Sequence, residues 1–355
     1  MKRWLWIIAA GLLGLLGGGG LLLRPWRAVG PPLLPAAEVL ARALAAEANV
    51  DYSGVLRTVT LYQGQRVAST VRIYRQAPDR ERLEYRSGEL AGLVTVCNEH
   101  GRWQYDPTLA PTIRAGPLRP AEQGPRREEL IRRNYLIACT GTGRVAGRPT
   151  YLLSLTPKHP GNPSRRLWVD QATFVVLRRE DYAADGTLRT RTAFRRIHYR
   201  PRLGADLFDM PQPNYARLAT HQVPAAKPLT LEQVSAEVGF PVVKPAYLPP
   251  GYEYASAQVY RCPCGCGMIS AQLQYVDGLN GLTVFETDSR HAGCSSPQGC
   301  AAKGEPPCLL ADYGYARIAS VVTPDLTFTA VGDLPPEELR RVVEGLRRQV
   351  RMPLQ

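Results

Sequence analysis

The spacing of apolar positions changes along the chain, and each change predicts a different element. Trp4 to Leu23, "WLWIIAAGLLGLLGGGGLLL", carries no charge, and as a helix it rises about 30 Å, the thickness of a bilayer's hydrocarbon. After the proline-rich break "RAVGPPLLP", the stretch "PAAEVLARALAAEAN" sets Val39, Leu40 and Leu44 at helical spacing and predicts a first helix. From Tyr52 the period becomes two. "VLRTVTLY", "RVASTVRIYR", "ERLEYRSG", "LAGLVTVCN" and "RWQYD" are short valine-, threonine- and aromatic-rich runs separated by "QGQ", "APD", "SGEL" and "EHG", the pattern of an antiparallel meander. A helical stretch, "REELIRRNYL", interrupts it. Alternation resumes in "RPTYLLSLTP", "SRRLWVD", "FVVLRREDY" and "LRTRTAFRRIHY", with "AADG" as a hairpin turn in which Gly186 takes positive φ.

Between Asp209 and Pro228 the periodicity is lost and prolines accumulate, which marks a domain boundary. Thr230 and Gln233 then have the spacing of a capping box ahead of a helix. "YASAQVYRC", "ISAQLQYVD", "GLTVFETD", "ARIASVV" and "LTFTAVG" are further strands. In the last helix, Leu339, Val342, Val343, Leu346 and Val350 form one apolar stripe, with Arg340, Arg341, Arg347 and Arg348 away from its centre. The fold class is α+β: a large, curved antiparallel sheet with a helical lid, followed by a smaller antiparallel sheet with two helices. The expected divisions are an anchor and linker over 1–30, a first domain over 31–212, a linker over 213–228 and a second domain over 229–355.

A chain of 355 residues is long enough for two domains. Lys2 and Arg3 precede the apolar segment, and the positive-inside bias puts everything after Trp26 outside the cytoplasm. A cleaved signal peptide is the alternative to an anchor; its nearest cleavage candidate, "AVG" at Ala28 to Gly30, is followed by Pro31. Both readings give the same compartment. Export also limits what the net charge of +13 means. It removes nucleic acid as a partner and leaves an anionic membrane surface, acidic protein segments, or a merely solvated arginine-rich exterior.

Catalytic and phosphate-binding signatures are missing from the sequence. It has no G-x-S-x-G, no H-E-x-x-H and no Walker loop, and "GTGRVAG" at Gly141 to Gly147 joins two strand-like runs, which makes it a turn. The histidines at 100, 159, 198, 221 and 291 are scattered, so no nucleophile, base and orienter form a set. A non-enzymatic protein without a cofactor is expected.

Eight cysteines in an exported chain read first as disulfides. If no bridge crosses the domains, Cys97 pairs with Cys139. Cys262, Cys264 and Cys266, set among a proline and glycines in "YRCPCGCGM", face Cys294, Cys300 and Cys308 in a turn-rich stretch, three against three. The competing reading is a soft-metal site built on Cys262, Cys264 and Cys266 with His291 as an added ligand.

"NYLIACTGTGRVAGRPTYLLSLTPK", "RRLWVD" and "LRREDYAADGTL", followed by "LPPGY", "YVDGLNGLTVF" and "FTAVGDLPPEELRRVV", closely resemble the RseB/MucB family of exported regulators in order and spacing from about Tyr52 to Leu346. The resemblance implies a first domain similar to the lipoprotein carriers LolA and LolB, a half-open barrel with helices across its mouth. It also implies binding to the extracytoplasmic segment of a membrane anti-sigma factor, with release when a lipid or lipoprotein signal occupies the protein. An anchored chain and a cysteine cluster depart from the family pattern. Independently of the resemblance, Val59, Leu61, Val71, Ile73, Leu83, Tyr85, Leu153 and Leu155 in one phase give the curved sheet an apolar concave face, a candidate lipid cavity. The same residues would equally pack beneath the two helices. A lipid or lipoprotein carrier with no regulatory partner is the second functional reading.

Overall fold

The structure, a computed structural model, describes residues 33–62, 64–99, 101–105, 114–116, 124–209, 229–261, 267–291, 309–312 and 317–351. The apolar segment Trp4 to Leu23, the linker expected at 213–228 and Cys262, Cys264, Cys266, Cys294, Cys300 and Cys308 lie outside them. Among the described residues no helix is long and apolar enough to cross a membrane.

Two meanders meet in the middle of the first sheet. β1 (Tyr52–Tyr62), β2 (Gln65–Gln76), β3 (Arg80–Ser87), β4 (Val94–Asn98), β5 (Gly101–Tyr105) and β6 (Arg114–Gly116) step outward in one direction. β7 (Tyr135–Val145), β8 (Arg148–Pro157), β9 (Ser164–Asp170), β10 (Val176–Tyr182) and β11 (Leu188–Tyr199) step back from the other edge, so that β11 pairs with β1. The order is β6-β5-β4-β3-β2-β1-β11-β10-β9-β8-β7. The chain between the two edge strands β6 and β7 contains α2 (Gly124–Asn134). As expected, "AADG" is a hairpin turn, with Gly186 at φ of 82°. Of "GTGRVAG", expected to be a turn throughout, only Ala146 and Gly147 turn the chain, Gly147 at φ of 78°, while Gly141 to Val145 pair with β8 as the end of β7.

Directly opposed residues of an antiparallel pair share a face, so the register sorts the side chains. Leu56, Val71 and Tyr85 align, as do Ile73, Leu83 and Thr95, and on the other wing Cys139, Leu153 and Leu167. This inward face packs on α1 (Ala36–Asn49). Val39, Leu40 and Ala43 of α1 join Ile131, Leu153, Leu155, Leu167 and Val169 in one cluster, and Ala46 joins Ile73, Leu177 and Phe194 in the next. One helix therefore reaches both wings, and the sheet curls around it. Burying Leu40, Leu153 and Leu155 contributes roughly 2 kcal/mol each.

Two expectations fail here. Val59 opposes Ala68 and Arg191, and Leu61 opposes Arg66, three and five positions from Leu56, so both belong to the outward face and not to the cavity face. The run "VLRTVTLY" alternates almost equally well in either phase, and only pairing with β2 chooses between them. Cys97 and Cys139 form no disulfide with each other. They stand on β4 and β7, in opposite wings of the sheet.

The outward face of β4 carries Val94 and Val96, covered by Phe208, Leu203 and Leu207 from the segment after β11.

The second sheet has β12 (Glu253–Arg261), β13 (Ile269–Val276), β14 (Gly281–Asp288), β15 (Leu309–Asp312), β16 (Arg317–Val322) and β17 (Leu326–Gly332) in the order β12-β13-β14-β17-β16-β15. α3 (Leu231–Val238) and α4 (Pro336–Arg351) cover one face. The capping box at the start of α3 is present: the Thr230 hydroxyl accepts from the Gln233 amide at 3.3 Å, and the Gln233 side chain accepts from the Thr230 amide at 2.9 Å. Leu339, Val342, Val343 and Leu346 of α4 are fully buried, whereas Val350, expected in the same stripe, is 38% exposed.

Candidate functional site

The hairpin turn between β13 and β14 is built around Asp277. Its Oδ1 accepts hydrogen bonds from the amides of Leu279 at 2.8 Å and Asn280 at 2.7 Å, an Asx turn that fixes the backbone locally. Gly278 has φ of 101°. A Cβ there would sit 2.7 Å from the backbone nitrogen of Ile131 in α2, so the second domain's turn lies directly on the first domain's helix.

Around this contact the two domains exchange polar bonds in a buried setting. The Tyr135 hydroxyl donates to Asp277 Oδ2 at 2.5 Å and accepts from Asn280 Nδ2 at 2.9 Å. Asn134 Nδ2 donates to the carbonyls of Asp277 and Gly251, each at 2.9 Å. Asn162 Nδ2 reaches the carbonyl of Pro250 at 2.9 Å. Arg165, only 5% exposed, donates to the Leu279 carbonyl at 3.2 Å while pairing with Asp181 at 2.5 Å. Arg127 Nε donates to the Gly278 carbonyl at 3.3 Å. Leu279 itself packs against the cluster that contains Leu153 and Leu155. At the rim, Arg133 and Arg126 flank Glu253 at 2.5 and 3.6 Å.

The electrostatics suit a joint and not a reaction centre. Burial, then the neighbouring Asp277 charge and the bond to it, push the Tyr135 hydroxyl far above its usual range, so it stays a proton donor. Asp277 is fully buried, and its oxygens are satisfied by Tyr135, Asn280 and backbone amides. No nucleophile and base are paired anywhere in this set.

The turn motifs of the sequence converge here. "NY" at Asn134 and Tyr135, "LPPGY" at Leu248 to Tyr252 and "DGLN" at Asp277 to Asn280 are distant in the chain and touch in the fold. A second pairing of motifs lies inside the first domain. Asp170, at the end of "LWVD", is held by Arg148 of "AGR", by the Tyr199 hydroxyl at 2.8 Å and by the Ala172 amide at 2.8 Å. Burial raises the Asp170 carboxyl, but these bonds outweigh it and hold its pKa below the usual value. Arg148 also stacks over the Tyr199 ring, 4.7 Å from its centroid.

Leu153 and Leu155, expected in the cavity, are fully buried beneath α1 and α2 and lie next to Leu279. Ile73 and Leu83 pack with Ala46, while Val71 and Tyr85 continue the same inward face, at 7% exposure and half-buried respectively. Composition and spacing did not single out Asn134, Tyr135, Asn162 or Arg165. The available signal was that an asparagine and a tyrosine interrupt the boundary between a helix and a strand. Among the described residues no cluster of histidine, cysteine and carboxylate side chains is placed to hold a metal. The proposed ligands Cys262, Cys264 and Cys266 fall outside those residues, and for His291 only the backbone is described.

The sequence profile of the MucB/RseB N-terminal domain matches residues 35–214. Among solved structures, MucB in complex with the periplasmic part of MucA is 20% identical, with 87% of this chain and 97% of that chain covered at a TM-score of 0.57. The Pseudomonas aeruginosa MucA/MucB complex gives 20%, 87%, 96% and 0.59, and MucB alone gives 20%, 89%, 98% and 0.55. At this identity the likeness is one of fold, and it extends over both domains. No curated protein sequence matches the chain. With the profile covering residues 35–214, half of the chain, the chain belongs to the MucB/RseB family.

Proposed function

We propose that this protein is a non-enzymatic extracytoplasmic regulator that grips the external segment of a membrane anti-sigma factor and loosens that grip when a lipid or lipoprotein occupies the first domain. The observation that carries the reading is the match over both domains to MucB, solved in a complex with the periplasmic part of MucA. The amphiphile is proposed to enter where Val71 and Tyr85 extend the inward face past the residues that pack on α1. A shift of α1 or α2 there would move Ile131 and Tyr135, and with them the turn at Asp277 to Asn280. Each ligand would then lower the affinity of the other by the same factor. The segment Trp4 to Leu23 is proposed to hold the chain at the membrane, where its partner is met at high effective concentration.

Titration calorimetry tests this with residues 33–355, which form one compact unit, against the external segment of a membrane anti-sigma factor from the same organism. Saturable binding that weakens when a lipid is added is the expected result. Binding of lipid with no binding of the segment would make the protein a carrier.

A further inference from the structure

The outward face of the central strands carries a grid of arginines with apolar side chains between them. The registers place Trp168, Arg178, Ala193 and Arg57 in one cross-strand row, and Arg166, Glu180, Arg191 and Val59 in the next. Arg66 and Arg72 stand on the same face of β2, opposite Leu61 and Val55. Arg57, Arg66, Arg72, Arg166 and Arg191 are exposed. Glu180, the carboxylate in these rows, is only 2% exposed and is already spanned by Arg178 and Arg191. Among the described residues Arg57, Arg66, Arg72 and Arg166 stand in no ion pair. Like charges on neighbouring strands repel, so a face of one sign weakens the sheet until a polyanion covers it.

We propose that this face docks on an anionic phospholipid bilayer. From β9 to β2 the strands span about 20 Å at the usual interstrand spacing. Every one of them is paired on both sides, so no added peptide strand can extend the sheet here. A polyanionic plane fits better than a threaded acidic segment. Val59, Leu61 and Trp168 are half-buried among the arginines, and Arg178 lies 4.0 Å over the Trp168 ring. Apolar and indole groups at this level beneath guanidinium groups match the headgroup zone of a membrane, and guanidinium takes phosphate oxygens two at a time. The sequence also ties the first domain to a bilayer. Between Leu23, which ends the apolar stretch, and α1 lie only a dozen residues, a reach of at most about 40 Å. The assignment does not depend on an anti-sigma partner.

Vesicle co-sedimentation of residues 33–355, without the apolar stretch, tests the proposal. Vesicles of phosphatidylcholine containing about a third phosphatidylglycerol should bind the protein, pure phosphatidylcholine should not, and about 0.5 M NaCl should release it. At about 1 kcal/mol per basic side chain near an anionic surface, each arginine removed weakens partitioning roughly five-fold. Arg57→Gln, Arg66→Gln and Arg72→Gln combined should weaken it on the order of 100-fold with the thermal midpoint no lower than that of the wild type. Equal binding to both vesicle types, or a triple variant that partitions like the wild type, would overturn the proposal. So would a face that binds an acidic peptide through these arginines and ignores vesicles. If the triple variant melts early, the salt and lipid dependence of the wild-type protein decides the matter by itself.

Discussion

The Tyr135 hydroxyl and the Asp277 carboxylate, 142 residues apart in the chain, meet at 2.5 Å where the first domain's α2 ends and the second domain's hairpin turns. Both residues are buried, at 2% and 0% exposure, so the bond is shielded from water and its loss is not compensated. Tyr135→Phe removes a donor from the carboxylate and an acceptor from Asn280. Urea unfolding should show a loss of about 1–3 kcal/mol, and amide exchange at Leu279 and Asn280 should accelerate first. A variant as stable as the parent would mean that the joint draws its strength from packing around Leu279 alone.

Gly278→Ala attacks the same joint sterically. The new Cβ would need φ near 101° and would press on the Ile131 backbone at 2.7 Å, which a helix cannot easily yield. Strain of about 1–3 kcal/mol adds to the clash, so the turn should lift off α2. The expected readout is two separate thermal transitions in place of one, with the affinity for the anti-sigma segment reduced.

Glu286 makes the second domain's stability depend on pH. It is fully buried on β14 between Ala271 and Phe328, and among the described residues its oxygens accept long bonds, 3.3 and 3.4 Å, from the Val243 amide. Burial pushes its carboxyl up to about 8, with the Val243 bond a smaller opposing effect. Between about pH 4.5 and 8 the unfolded chain has released this proton while the folded one keeps it. Stability should therefore fall as pH rises through that window, by up to about 1.4 kcal/mol per unit, and level off above it. Glu286→Gln should flatten the profile and leave the protein more stable than the parent at pH 8. An unchanged slope would assign the titration elsewhere.

The cysteine cluster is proposed to be a structural clamp. Arg261 pairs with Ile269, Ser270 with Thr287 and Asp288 with Leu326, so the stretches holding Cys262 to Cys266 and Cys294 to Cys308 both leave the second sheet at the same end. Three bridges between the two sets would make the oxidised protein about 6 Da lighter than the reduced one. Peptide mapping should find no peptide linking Cys97 to Cys139. Thiols at all six positions, together with zinc or copper lost to a chelator, would favour the metal site with Cys262, Cys264, Cys266 and His291.

Much of the local structure is determined by the sequence alone, because it depends on neighbours a few residues away. The capping box at Thr230 and Gln233, the positive φ of Gly147 and Gly186, the stripe from Leu339 to Leu346 and the two-period strands all follow from rules of local geometry. The collinear motifs carried the family. What the sequence left open depends on which strand lies beside which. Val59 and Leu61 went to the wrong face because "VLRTVTLY" alternates in both phases and only the register with β2 decides. Cys97 and Cys139 were paired by elimination, yet β1 and β11 come together in the middle of the sheet and carry β4 and β7 to opposite wings. The joint itself could be read only as separate turns. Asn134, Tyr135, Gly251, Asp277 and Asn280 are unremarkable polar and turn residues until packing removes water from around them, and a hydrogen bond acquires its weight only when burial leaves no alternative partner.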